Sequence, residues 1–276
     1  MLKNMNIGKK LIGAFLAVAF ITLVVGFIGW RGARNLGVDA EDVARVRLPS
    51  IASLKSVEKA FESIRVAQRT LLNPRLKDDD YKRQFENVQK AREAYEEALK
   101  IYEPLPQTKE EAEAWKGFAP ALADWRRENE VFFGLVKELD ATGIRNPVAL
   151  MRDIFKFRGD HYKLVTQVNE LINNNKQFEG GEDHTVCAFG KWMATFKTES
   201  REINRLLEDI KPHHKTFHEC VKKIKDLVAQ GEVSSAINLM SGDMADTMGK
   251  TFGYFDMLLA ECDKASGLYD KIGEQA

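Results

Sequence analysis

The chain has 276 residues, and 41 Lys plus Arg balance 41 Asp plus Glu to a formal charge of zero. That balance argues against a nucleic-acid binder, which carries a basic excess or patch. Seven prolines in a chain with 30% charged residues disfavour a strand-and-turn architecture and favour long helices.

The first element is Leu11 to Trp30, twenty residues without a charge and with Thr22 as the sole hydroxyl. As a helix it spans roughly 30 Å, the hydrocarbon thickness of a bilayer. A cleaved signal peptide is the alternative. Against it, the apolar core is longer than such peptides use, and no A-x-A-like site precedes Arg31. Lys3, Lys9 and Lys10 precede the span, and Arg31, Arg34, Arg45 and Arg47 follow it. Long downstream domains cross largely regardless of such charges. The expectation is a single-pass anchor in the inner (cytoplasmic) membrane. Residues 1–10 are then cytoplasmic, 11–30 transmembrane and 31–276 periplasmic.

Heptad-like apolar spacing follows. Leu54, Val57, Phe61, Ile64 and Leu71 predict a helix that continues out of the anchor and stops before Pro74. Tyr81, Phe85, Val88, Tyr95, Leu99 and Tyr102 predict a second, ended near Pro104 and Pro106. Thr108-Lys109-Glu110-Glu111 has the capping-box arrangement and opens a third. That helix runs through Trp115, Phe118, Leu122, Trp125, Phe132, Val136 and Leu139 and is expected to bend at Pro120. Alternating four-three spacing favours an antiparallel bundle.

Two further stripes stand out. Ile154, Phe157, His161, Leu164, Val168 and Leu171 alternate three and four. Ile203, Leu207, Ile210, His214, Phe217, Val221, Ile224 and Val228 alternate four and three. Each is apolar except for one core-facing histidine. Pro212 is expected to kink the second helix or start a new one. A last helix, from about Val233, presents Ile237, Met240, Met244, Met248, Phe252, Phe255, Leu259 and Cys262.

A buried imidazole needs partners for its nitrogens. A lone core histidine bonded to a carbonyl is the ordinary reading, but two on neighbouring stripes point to a shared ligand. His218 lies four residues after His214 on the same helix face, so both rings can reach one ion. Cys187, in Cys187-Ala188-Phe189-Gly190-Lys191-Trp192, offers a fourth donor. One thiolate and three imidazoles would complete a tetrahedral zinc shell, the closed pattern of a structural or sensory site.

Residues 148–249 resemble the chemoreceptor zinc-binding (CZB) domain. The likeness rests on His161 with Leu164, on Cys187-Ala-Phe189-Gly190-Lys-Trp192, and on His214-Lys-Thr-Phe-His218. It implies that His161, Cys187, His214 and His218 bind zinc, and that Gly190 and Trp192 fix a short helix presenting the thiolate. Residues 31–147 are similar to the four-helix-bundle ectodomain of methyl-accepting chemotaxis proteins. There the likeness rests on the opening Met1-Leu-Lys-Asn-Met-Asn-Ile-Gly-Lys-Lys, on Leu48-Pro49-Ser50-Ile51 and on Ile64-Arg65-Val66-Ala67-Gln68-Arg69.

The zinc domain looks inserted before a final bundle helix supplied by residues 250–276. Such receptors continue into a second span, a HAMP linker and a cytoplasmic hairpin. With none of these before Ala276, the chain is read as either truncated or a stand-alone sensor. The implied whole is an all-α, membrane-anchored homodimer coupled to a chemotaxis or other signalling protein. It would respond to zinc availability or to oxidation of the zinc-bound thiolate, for example by hypochlorous acid. The alternative is a chemoreceptor for a small organic ligand bound by residues 31–147, with zinc as a staple. A zinc hydrolase would need an open coordination place and a general base, and no matched carboxylate motif is present.

Other features carry less. Gly180-Gly181-Glu182-Asp183 resembles the start of a diguanylate cyclase signature, without the hairpin that signature needs. His184 could bind metal transiently or be a solvated loop residue. His213 points about 100° away from His214. Arg65 and Arg69 share a face and could clamp an anion, or be exposed helix charges. Met240, Met244 and Met248 suit core packing better than a soft metal. Three cysteines are too few for a disulfide framework. In an oxidising compartment Cys220 and Cys262 could pair while Cys187 is used differently.

Overall fold

The computed structural model describes residues 6–276, so the expectation for Lys3 and the rest of residues 1–5 lies outside it. Among the described residues the chain is all-α, with no strand. The first helix runs without a break from Ile7 to Leu71 and contains a window long and apolar enough to cross a membrane. Its first part, α1 (Ile7–Asp42), buries no residue. A π turn, Val43–Arg47, joins it to α2 (Leu48–Leu71). Pro49 accounts for that turn. Its ring would clash with the carbonyl four residues back in a regular helix, and a wider turn just ahead of it relieves the clash. The hydroxyl of Ser50 donates to the Val46 carbonyl at 2.8 Å within the same region.

The chain divides into two compact units, Met1–Ala67 with Lys82–Gly117, and Gln68–Tyr81 with Phe118–Ala276. In the first, Ala60 and Ile64 of α2 and Val88, Ala91 and Tyr95 of α3 (Asp78–Tyr102) are all buried. The Phe61 and Tyr95 rings meet edge to face at 5.4 Å. α4 (Lys109–Thr142) opens on the expected capping box. The Thr108 hydroxyl accepts from the Glu111 N–H at 3.1 Å, and the Glu111 carboxylate accepts from the Thr108 N–H at 2.8 Å. α4 continues as helix through Pro120.

The second unit holds the two histidine stripes. α5 (Pro147–Asn174) starts where the Asn146 side chain accepts from the Ala149 N–H, with Pro147 in the first turn. It ends at Asn175 in the left-handed conformation. A loop leads to the short α6 (Ala188–Thr195), then to α7 (Arg201–Ala229), α8 (Val233–Leu239), a second π turn at Met240–Met244, and α9 (Ala245–Gln275). α7 runs unbroken through Pro212, so no new helix starts there. α9 packs against both α5 and α7. Its Phe255, Leu258, Cys262 and Ile272 share one core with Phe132, Leu139, Ile154, Phe189 and Ile203. A second core joins Leu164, Val168, Phe217, Val221, Ile224 and Met244. The zinc-candidate histidines lie where these two cores meet along α5 and α7.

Candidate metal centre

His161 stands on the buried stripe of α5, between Phe157 and Leu164. His214 and His218 stand on the buried stripe of α7, and only 3%, 0% and 1% of the three residues is exposed. Cys187 caps α6: its sulfur accepts from the Gly190 N–H at 3.2 Å. A helix N-terminus is a place where a thiolate is favoured. The Gly190 position admits no side chain, because a Cβ there would sit 1.9 Å from the His184 carbonyl oxygen. Trp192 stacks on Phe196 at 4.3 Å and leans on Phe157 at 5.5 Å, which seats the short helix against α5.

The structure brings His161, Cys187, His214 and His218 together, with one ligand atom from each lying within 4.8 Å of all the others. The Nε2 atoms of His214 and His218 are 3.1 Å apart, and the Cys187 sulfur is 3.3 Å from His214 Nε2. Tetrahedral zinc with ordinary bond lengths requires ligand separations of roughly 3.3 to 3.8 Å; these two contacts already lie at or just below that range, and the wider separations in the group, up to 4.8 Å, would have to close.

Hydrogen bonding sets two of the rings. The Nδ1–H of His161 donates to the Phe157 carbonyl at 2.7 Å, and the Nδ1–H of His218 donates to the Gly181 carbonyl at 2.7 Å. A carbonyl only accepts, so each ring carries its proton on Nδ1 and turns an Nε2 lone pair inward. His161 Nε2 and His214 Nδ1 are buried with no hydrogen-bond partner. A buried lone pair without a partner is costly, and a cation among the Nε2 atoms would answer that cost for His161.

Burial also fixes charge. It pushes His161 below the usual imidazole range, His218 down to about 4 and His214 down to about 2, the last helped by the neighbouring imidazoles. All three are therefore neutral, the ligand form. Burial pushes the Cys187 thiol up, against the pull of the Gly190 and Phe189 N–H groups. Without a cation this cysteine keeps its proton. Phe189, Phe217, Phe252 and Phe255 surround His161 at ring distances of 5.4 to 6.5 Å and keep the site dry.

Comparison with known families bears directly on this site. The model described as a four helix bundle sensory module for signal transduction matches residues 4–179, and the chemoreceptor zinc-binding domain matches residues 161–225. The chain belongs to the four-helix-bundle sensory family and carries a CZB domain. Both are signalling modules rather than enzymes, and CZB is a zinc-binding domain, to which the His, Cys, His, His group is suited. A search of curated proteins and a search of solved structures each find no match.

The CZB match runs from His161 to residue 225, and Lys225 is a residue that sequence reasoning missed. Its ammonium donates to the carbonyls of Phe178 (3.0 Å) and Gly180 (2.8 Å), pairs with Glu182, and lies 4.0 Å over the Phe178 ring. It thereby clamps the segment that presents the Gly181 carbonyl to His218. Gly181 itself has φ +92°, and a Cβ there would meet Leu164 Cδ1 at 2.6 Å. The pair of glycines that resembles a cyclase signature is thus part of the zinc domain's support. Two signals could have found Lys225: it lies seven residues after His218 on the same helix face, and the adjacent glycines mark a special turn.

Other candidates fall elsewhere. The His184 ring lies 5.9 Å from that of His214 and outside the four-atom group. His213 stacks on Tyr254. Arg65 is exposed and pairs with Glu62 at 2.5 Å, and Arg69 is exposed in the last turn of α2. Met240, Met244 and Met248 line an apolar groove of about 390 Å³ between α5 and the second π turn. Cys220 and Cys262 are buried free thiols in separate cores, so they form no disulfide.

Proposed function

We propose that this chain is a membrane-anchored sensor in which His161, Cys187, His214 and His218 hold one zinc ion and whose helices respond to zinc availability or to oxidation of Cys187. The observation that carries it is the convergence of four neutral or thiol donors in a dry core, with two lone pairs pre-aimed by carbonyls. When bound, zinc supplies a closed, redox-inert cross-link, and a full set of four donors leaves no place for a catalytic water.

The chain's own residues supply the response. His161 anchors α5, His214 and His218 anchor α7, and Cys187 anchors α6. Loss of the metal leaves their lone pairs facing one another, and α5, α7 and the overlying α9 repack. Packed helices switch between discrete arrangements rather than deform continuously. A two-electron oxidant such as hypochlorous acid acts on Cys187. The thiolate sulfur loses two electrons, the hydroxyl of the oxidant ends on sulfur as a sulfenic acid, and chlorine leaves as chloride. The sulfenic acid is a poorer ligand, which frees α6.

The long apolar stretch in α1, with no buried residue, supports a single-pass anchor in the cytoplasmic membrane. On this reading residues 1–10 are cytoplasmic and 11–30 transmembrane, with 31–147 the bundle and 148–249 the zinc domain outside. Family membership supports a homodimer that couples to a signalling partner. Zinc analysis of the purified full chain tests the site. One zinc per chain, lost in His161→Ala, supports it, and metal-free wild type refutes it. Altered protease sensitivity of α9 on chelation tests the response.

A groove of about 660 Å³ between α2 and α3 favours a second reading. Lys59, Lys90, Ser56, Ser63, Gln84 and Asn87 line it together with the carboxylate of Glu62, and two lysines against one carboxylate suit a small anionic organic ligand with zinc as a staple only. Thermal stabilisation of the zinc-loaded chain by such compounds distinguishes the two.

A further inference from the structure

We propose that His184 is a reserve zinc ligand, which replaces Cys187 when the thiolate is lost and keeps the ion held by four imidazoles. The inference rests on the zinc site proposed above. Three observations carry it.

First, the residue is tethered beside the site. The His184 carbonyl accepts from the Cys187 thiol at 3.3 Å and fills the space that a Cβ on Gly190 would need. Its Cα is therefore held against the N-terminus of α6, whatever its ring does.

Second, the ring is uncommitted. It presents to His214 at a centroid distance of 5.9 Å and an angle of 80°, its side chain is about a third exposed, and among the described residues it makes no hydrogen bond. His213 differs on every count: it is stacked on Tyr254, on another face of α7.

Third, an orienting group is already in place. The Asp183 carboxylate lies 3.9 Å from His184 Nδ1, too far for a hydrogen bond but close enough to tighten into one. Asp183 is itself held by the Thr185 N–H (2.8 Å) and hydroxyl (2.7 Å). A carboxylate on one nitrogen leaves the other as the donor, the arrangement typical of metal-bound histidine.

Zinc takes imidazole nitrogen as well as thiolate sulfur into its shell. An exchange of Cys187 for His184 would detach the sulfur, and with it the start of α6, while the ion continues to join α5 and α7. Oxidation then registers as a change of ligand, whereas zinc scarcity registers as an empty shell. The two stimuli leave the helices in different states.

The test is zinc affinity by chelator competition, using the full chain in detergent and four forms: wild type, His184→Ala, Cys187→Ala and the double variant. With Cys187 present, His184→Ala matches wild type. Without it, the double variant binds roughly tenfold or more weakly than Cys187→Ala, the scale on which a well-placed supporting group affects a metal site. Equal affinity of Cys187→Ala and the double variant overturns the proposal. A wild type that binds no zinc overturns the underlying site instead. Should Cys187→Ala not fold, hypochlorous acid treatment of zinc-loaded wild type and His184→Ala gives the same decision. Zinc retained by the first and released by the second supports the exchange, and equal retention or equal release refutes it.

Discussion

His218 turns its Nε2 inward, towards His214, because its Nδ1 donates to the carbonyl of Gly181 at 2.7 Å. That single bond links α7 to the loop after α5, thirty-seven residues earlier in the chain, so on the zinc site proposed above the loop's conformation would govern metal affinity.

Gly181→Ala is expected to break this link. Its φ of +92° is hostile to a side chain, and the new Cβ would press on Leu164. Strain of this kind costs ~1–3 kcal/mol, and loss of an outer-shell partner lowers metal affinity about 10- to 100-fold. Urea unfolding of the metal-free chain and chelator competition measure the two effects separately.

Lys225→Met is expected to loosen the same loop from the other side, by removing the donor to the Phe178 and Gly180 carbonyls. The zinc affinity should fall by about tenfold while helix content stays unchanged. Lys225→Arg, which keeps charge and donors, should recover part of it. A Lys225→Met variant with wild-type affinity would remove Lys225 from the support of the site.

Zinc binding near pH 7 is expected to release about one proton per ion. Cys187 is the source, because burial holds its thiol protonated. His214 and His218, at about 2 and about 4, have no proton to give. Calorimetry in buffers of different ionisation enthalpy reads the number directly. Release of two or more would mean that an imidazole is protonated in the metal-free state.

The metal-free chain should also lose stability as the solution is acidified. The folded values of His218 and His214 lie below the ordinary 6.5, so the unfolded chain binds more protons between them. Stability is fully present above about pH 6.5 and falls as pH drops through 4 towards 2. Denaturant midpoints measured down this range check the sign, and a midpoint that rises on acidification contradicts it.

Much of this was legible in the sequence, for identifiable reasons. His161 and His214 each occupy one place in an otherwise apolar three-four stripe, so helical geometry alone turns them to the core, where both are buried. The capping box at Thr108 and Glu111 is local, and its two bonds form as the four-residue pattern implies. Lys225 was only faintly legible, in its spacing from His218 and the nearby glycine pair, because its partners are carbonyls of a loop more than forty residues away and a lysine on an amphipathic helix ordinarily faces water. The π turns were not legible. Pro49 sits beside the first of them, but a proline's position does not say whether the chain kinks or widens. At Met240–Met244 the Ser241-Gly242 pair marks a weak point in the helix but not a widened turn.

X-ray absorption at the zinc edge, on the purified full chain, tests the central claim most directly. The account predicts a first shell of one sulfur at about 2.3 Å and three nitrogens at about 2.0–2.1 Å, with the sulfur lost in Cys187→Ala. A sulfur-free shell in the wild type, or one dominated by oxygen, would contradict it.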